Sequence, residues 1–194
     1  MMTMKRSTGV TLVELLIVVA LIGAILVLAA PAFRDMILMQ RLRGINAELV
    51  TDMQMARSEA VSRRDFARVF FKSDTTSTCY TIYTSAANNT RCDCLAGPGA
   101  ACSGTMVEIK TVNVPKSLGV EVKPQTGQPV AFAFDWRTGG LYLIPTDNVP
   151  RPLDLFVAET YIDNSRKLAT RLNAAGRPLV CRPGGSTMTE TACP

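Results

Sequence analysis

The stretch GVTLVELLIVVALIGAILVLAAPAF covers residues 9–33, and the architecture turns on how it is read. Between Val10 and Ala30 its only ionisable side chain is Glu14. The run approaches the ~20 apolar residues that span a hydrocarbon core. Three features need one explanation: a basic leader with Lys5 and Arg6, a glycine directly before Val10, and a carboxylate near the start of an apolar helix. A cleaved secretory signal explains the leader and offers Ala30-Pro31-Ala32 as a cut site. Signal cores are typically ~7–15 residues, however, and a carboxylate serves no purpose in a segment that is discarded. A plain membrane anchor explains the length. Lys5 and Arg6 would hold its N-terminus in the cytoplasm while the bulk is exported. Neither reading accounts for Gly9 and Glu14.

Helical order continues past Pro31. Leu38, Leu42, Ile45, Leu49, Met53, Ala56 and Ala60 recur at intervals of three and four, an apolar stripe at the helical period. Arg34, Asp35, Arg41, Arg43, Glu48, Asp52, Arg57, Glu59, Arg63 and Arg64 fall on the other faces. Pro31 is expected to kink the helix, because its ring displaces a backbone hydrogen bond. A helix from Val10 to about Ser62 would be ~80 Å long at 1.5 Å per residue.

After Asp65 the pattern turns to β. Alternating or branched runs at 67–72, 79–84, 105–112, 118–122, 129–134, 141–144, 153–158 and 167–172 are separated by Gly, Pro, Asn and Asp. VAFAFDWRTGGLYL (130–143) reads as two strands joined at its glycines, with Phe132 and Phe134 on one face and Trp136 a structural residue beside the turn. One long helix followed by about eight strands implies an α+β chain whose β-rich head packs on the helix stripe. The divisions read from the sequence are a leader at 1–9, a transmembrane segment at 10–30, an outer helix half at 31–64 and the head at 65–194.

The whole chain has 21 Lys and Arg against 16 Asp and Glu, net +5. Lys5 and Arg6 belong to the leader, so the remainder is only about +3, too mild a bias to point to nucleic acid by itself. There is no histidine, which removes the commonest general base and the commonest metal ligand. GxSxG, Walker A and HExxH motifs are absent, so neither an enzyme nor a cofactor is expected. Cys79, Cys92, Cys94, Cys102, Cys181 and Cys193 all follow the apolar segment and read as disulfides of an oxidising compartment. The competing zinc reading would use Cys92, Cys94 and Cys102, but their spacing lacks the paired CxxC of zinc ribbons. The first four staple the long loop at 85–104, and three pairings among them are open. Cys181 and Cys193 would close a small C-terminal loop. Asn88-Asn89-Thr90 matches a glycosylation sequon.

The residues Gly9-Val10-Thr11-Leu12-Val13-Glu14-Leu15-Leu16 closely resemble the processing site of type IV pilins and type II secretion pseudopilins. The resemblance implies cleavage after Gly9 and N-methylation of Val10, with Val standing where the family usually has Phe. It also implies that Glu14, four residues beyond that new first residue, pairs with the N-terminal amine of a neighbouring subunit. Pro31 falls where many pilins carry a helix-kinking proline. A charge inside a bilayer is costly and usually marks a partner, so Glu14 fits an assembly role. RSEAVSRR (57–64) resembles the helix end of FimT-, FimU- and GspH-like minor pilins and pseudopilins.

On this resemblance the chain is expected to be a minor pilin that primes or caps a type IV pilus. It would sit in the bacterial inner membrane as a single-pass protein with a periplasmic head, then pass into the filament at the cell surface. The implied partners are other minor pilins and the major pilin, the prepilin peptidase and methyltransferase, and the inner-membrane assembly platform. A GspH-like pseudopilin is the first alternative. A DNA-binding pilin is the second, because Gly176-Arg177 resembles part of a C-terminal DNA-binding motif. The second Arg of that motif is missing, with Arg171 and Arg182 as nearby substitutes. An ordinary exported domain with a cleaved signal is the third.

Overall fold

The structure is a computed structural model that describes residues 11–85, 91–143 and 150–194, except for the side chains of 28–31. Gly9, Val10 and the sequon at 88–90 lie outside the described residues. The chain divides into two units, the first ending at Ile37 and the second covering Leu38–Pro194. A single helix, α1 (Leu12–Arg63), runs through both.

In the first unit, α1 starts on a side-chain cap. The Glu14 amide donates to Thr11 Oγ1 at 3.2 Å, and the Leu15 amide donates to the Thr11 carbonyl at 3.1 Å. Thr11 and Glu14 thus stand at the spacing of a capping box, which supplies acceptors to amides that have no intrahelical partner. The apolar side chains that follow are exposed, from Leu12 at 74% to Val27 at 75%. Among the described residues no single helix is long and apolar enough to cross a membrane. Leu12–Val27 and Ala32–Arg63 pass that test together as a broken pair, with the break over 28–31.

In the second unit, residues 38–63 of α1 pack on two antiparallel sheets. One has six strands in the order β3-β2-β1-β5-β6-β7: β1 (Ala67–Ser73), β2 (Ser77–Ser85), β3 (Met106–Pro115), β5 (Ala131–Phe134), β6 (Leu141–Leu143) and β7 (Arg151–Pro152). The other has the order β10-β9-β8-β4: β4 (Glu121–Pro124), β8 (Leu155–Tyr161), β9 (Lys167–Asn173) and β10 (Pro178–Cys181). The chain is therefore α+β, a long helix followed by a β-rich head.

Alternation sets the inner faces. Val69 and Phe71 of β1, Tyr80 and Ile82 of β2, Phe132 and Phe134 of β5, Phe156 of β8 and Leu172 of β9 meet Leu49, Met53, Ala56 and Ala60 of the helix. Phe132 and Phe156 join the two sheets with ring centroids 4.2 Å apart. A smaller cluster places Leu42 against Val120, Leu168 and Met188.

Eight expected strands have counterparts, but two strands lie in stretches read as connections. β7 lies between the runs expected at 141–144 and 153–158, and β10 lies beyond the run expected at 167–172. β10 begins with Pro178 on a sheet edge, a position that costs no ladder hydrogen bond. The run expected at 118–122 is divided. Leu118 ends a 3₁₀ turn (Lys116–Leu118), Gly119 follows at φ 75°, and the strand starts only at Glu121.

The helix pattern also needs a correction. Asp52, assigned to the solvent side, is buried, and so is Asn46. Asn46 Oδ1 accepts from the hydroxyls of Thr170 at 2.9 Å and Thr160 at 3.2 Å, so the helix docks on the four-stranded sheet through polar as well as apolar groups.

Candidate functional site

Glu14 lies in the first turn of α1 and is exposed, flanked by Val13 and Leu15, also exposed. A carboxylate in the first helical turn meets the positive end of the helix dipole. Its backbone amide donates to Thr11 Oγ1, while its carboxylate is exposed. The sequence reading treated Glu14 as a partner-seeking charge alone and missed the cap, although Thr11-Leu12-Val13-Glu14 carries that signal. Pro31 is inside α1, with its side chain outside the description.

All six cysteines are paired: Cys79 with Cys94, Cys92 with Cys102, and Cys181 with Cys193. No thiol remains for the alternative zinc site. The Cys79–Cys94 bridge ties the loop after β2 to that strand, the Cys92–Cys102 bridge closes the loop on itself, and carboxylates reinforce both. Asp93 caps the short 3₁₀ turn Cys94–Ala96 by accepting from the Leu95 amide at 3.1 Å, and it accepts from Lys72 Nζ of β1 at 2.7 Å. The Lys72 bond, then the Leu95 amide, hold the Asp93 carboxyl below its ordinary range. Glu108 of β3 accepts from the Gly99 amide at 2.9 Å and the Ala101 amide at 3.2 Å. Burial pushes its carboxyl up, but these bonds outweigh burial and leave it below the usual value.

At the C-terminal end, β9 and β10 form a hairpin. The Gly176 amide donates to the Asn173 carbonyl at 2.7 Å, and the Arg177 amide donates to Asn173 Oδ1 at 3.0 Å. Gly176 has φ 71°, and a Cβ there would collide with the Gly139 carbonyl and press on the Phe134 ring. The glycine of Gly176-Arg177 therefore has a structural role in the turn.

The three candidate cations do not converge. Arg171 donates to the terminal oxygen of Pro194. Arg177 is exposed at the turn. Leu179 pairs with Arg171, so alternation puts Arg171 and Arg177 on one face of the hairpin and Arg182 on the other. The backbone of Arg182 bridges to the last residues, accepting from the Cys193 amide at 3.0 Å. Among the described residues no group of three or more His, Cys, Asp or Glu could hold a metal ion.

Residues 47–176, well over half of the chain, match the family model described as type II transport protein GspH. The chain belongs to the GspH family. Residues 4–30 match the prokaryotic N-terminal methylation motif, which takes in Gly9, Val10 and Glu14. No curated protein and no solved structure matches the chain. A GspH-family chain with this motif is a prepilin of the pseudopilin and minor-pilin kind, and the subunits of that family are structural. The family implies assembly with other pilins and handling by a prepilin peptidase, and the motif points to anchoring in the inner membrane.

Proposed function

We propose that this GspH-family chain is a minor pilin that primes or caps a type IV pilus. It is cut after Gly9, N-methylated at Val10, and inserted through its apolar helix with Glu14 facing the amine of a neighbouring subunit. The head stands in the periplasm before assembly and on the filament afterwards. The observation that carries this reading is the exposed apolar run Leu12–Val27 with one carboxylate, Glu14, in its first turn. Such a surface needs a bilayer or a bundle of like helices, and such a charge needs a cation.

The first measurement is the intact mass and N-terminal residue of the membrane-extracted protein, expected to begin at N-methyl-Val10. A chain beginning at Phe33 would make it an ordinary exported domain. The second is a comparison of Glu14→Gln with wild type in sheared filaments. Gln keeps the shape of the first turn and removes only the charge. The variant is expected in the membrane, folded and processed, with incorporation reduced by about tenfold or more, as suits a lost ion pair in a low-dielectric site. Normal incorporation would restrict Glu14 to the helix end.

The family description favours a second reading, a pseudopilin of type II secretion. Deleting the gene separates the two, since loss of surface filaments supports the first and loss of protein secretion the second. The DNA-binding alternative would use Arg177, exposed at the turn, with Arg171 on the same face of the hairpin and Arg182 on the other. It predicts a mobility shift with the full chain that disappears in Arg177→Ala.

A further inference from the structure

Three cations, Lys72, Arg91 and Lys123, line a cavity of about 500 Å³ in the head, between the end of β1 and the β4 edge of the four-stranded sheet. Among the described residues no carboxylate lines it. Gln125 and Gln128 contribute amides, and Val130, 49% exposed, contributes an apolar patch. Asp93 holds Lys72 from outside the cavity at 2.7 Å, and the Gln125 amide donates to Glu159 at 3.0 Å.

The other two cations rest on rings. The Arg91 guanidinium lies 5.3 Å from the Phe70 centroid, and Lys123 Nζ lies 4.4 Å from that of Tyr161, whose hydroxyl donates to Glu121 at 3.0 Å. A ring beneath a cation positions it without cancelling its charge. Protection of a sheet edge explains Lys123 and Pro124, since Lys and Pro on an edge strand discourage pairing. It does not explain Arg91, which comes from a different part of the chain and faces the same cavity.

We propose that this cavity docks an acidic, apolar peptide segment of a neighbouring subunit, its carboxylates on Arg91 and Lys123 and an aliphatic side chain on Val130. The proposal rests on the reading of the chain as a filament subunit. The ring-supported cations also decide between ligand classes. Single-stranded nucleic acids stack on bare aromatic faces, whereas of the two rings that line this cavity Phe71 is buried and Phe70 carries Arg91. A peptide needs no such face, only fixed cations beside an apolar patch.

The test uses the full-length protein in detergent and short fluorescent peptides of alternating Glu and Leu, with a Gln-Leu peptide of equal length as control. Fluorescence anisotropy is expected to show the Glu-Leu peptide binding about tenfold or more tightly than Gln-Leu. The double variant Arg91→Gln/Lys123→Gln should lose that advantage. Arg137→Gln removes a cation propped on Trp136 at 4.6 Å, away from the cavity, and should leave binding unchanged. Equal affinity for the two peptides overturns the proposal, as does a double variant that binds like wild type. Tighter binding of oligothymidylate or polygalacturonate, lost in the double variant, also overturns it by making the cavity a general polyanion site. A chain that is processed and incorporated but ignores the Glu-Leu peptide loses only this proposal. A chain that binds the peptide but is never processed loses the subunit reading instead.

Discussion

Asp52 faces the interior of the head with Oδ2 2.7 Å from the Tyr80 hydroxyl and Oδ1 2.7 Å from Lys110 Nζ, which also reaches Glu48 at 2.9 Å. At 3% exposure the carboxylate depends on these donors, because a buried charge without partners is strongly destabilising. Lys110 comes from β3, the edge of the six-stranded sheet, and an inward-pointing charge there also discourages pairing with another chain. Asp52→Ala leaves the buried Tyr80 hydroxyl unmatched and Lys110 with Glu48 alone, and is expected to cost about 1–3 kcal/mol. Asp52→Asn keeps an acceptor for Tyr80 and should cost less. The pH dependence has a definite sign. Burial first, then the Asp52 charge, push the Tyr80 hydroxyl far above its ordinary value. Burial lowers Lys110, but Asp52 and Glu48 outweigh it and leave it raised. Both groups hold their protons more tightly folded than unfolded. Their stabilisation is thus complete below the unfolded values near pH 10 and is lost as pH rises beyond them. Urea unfolding at pH 8 and pH 10.5 should show a steeper loss for wild type than for Asp52→Asn, and equal slopes would remove the coupling.

Among the elements, the β9–β10 hairpin shows how far local pattern carries. The strands with alternating branched and aromatic residues were legible in the sequence, including the pair across the glycines at 139 and 140, where Phe134 pairs with Leu141. β10 was not, because four residues opening with proline carry too little periodicity, and its place depends on β9 and the closing disulfide. The helix stripe was legible for Leu42, Leu49, Met53, Ala56 and Ala60. Asp52 was misplaced and Asn46 was not assigned to either face, because polarity averages toward solvent; only the partner residues 80, 110, 160 and 170 show that both are matched inside. Disulfide pairing among four clustered cysteines is likewise a product of the fold. Gly176 belongs to this scale, since its backbone is in the left-handed region and has no room for a methyl group. Gly176→Ala should destabilise the head by at least about 2 kcal/mol, combining left-handed strain with the collision at Gly139. Thermal melting followed by circular dichroism measures it, and an unchanged midpoint would mean that the hairpin can open without cost.

At the scale of the molecule, the chain joins an exposed apolar helical segment to a β-rich head held by three disulfides. The head's two sheets have different means of support. The six-stranded sheet is held to the loop at 91–105 by the Cys79–Cys94 bridge and the Asp93 and Glu108 contacts, and the Cys92–Cys102 bridge closes that loop. The four-stranded sheet relies on the Cys181–Cys193 bridge, which covers Val157 and Ala169 on its outer face. That bridge closes a separation of 12 residues, so removing it should cost about 3 kcal/mol through the freed unfolded chain, with further loss from uncovering Val157. The match to the N-terminal methylation motif lies wholly within residues 4–30, far along the chain from this bridge. The double variant Cys181→Ser/Cys193→Ser is therefore expected to reach the membrane and show the same mature N-terminus as wild type. Its head should unfold at lower urea when followed by Trp136 fluorescence, and its filament incorporation should fall with temperature before its membrane level does. Equal losses at every temperature would instead mean that the C-terminal loop itself touches the neighbouring subunit, with the disulfide holding a contact surface in place as well as a fold.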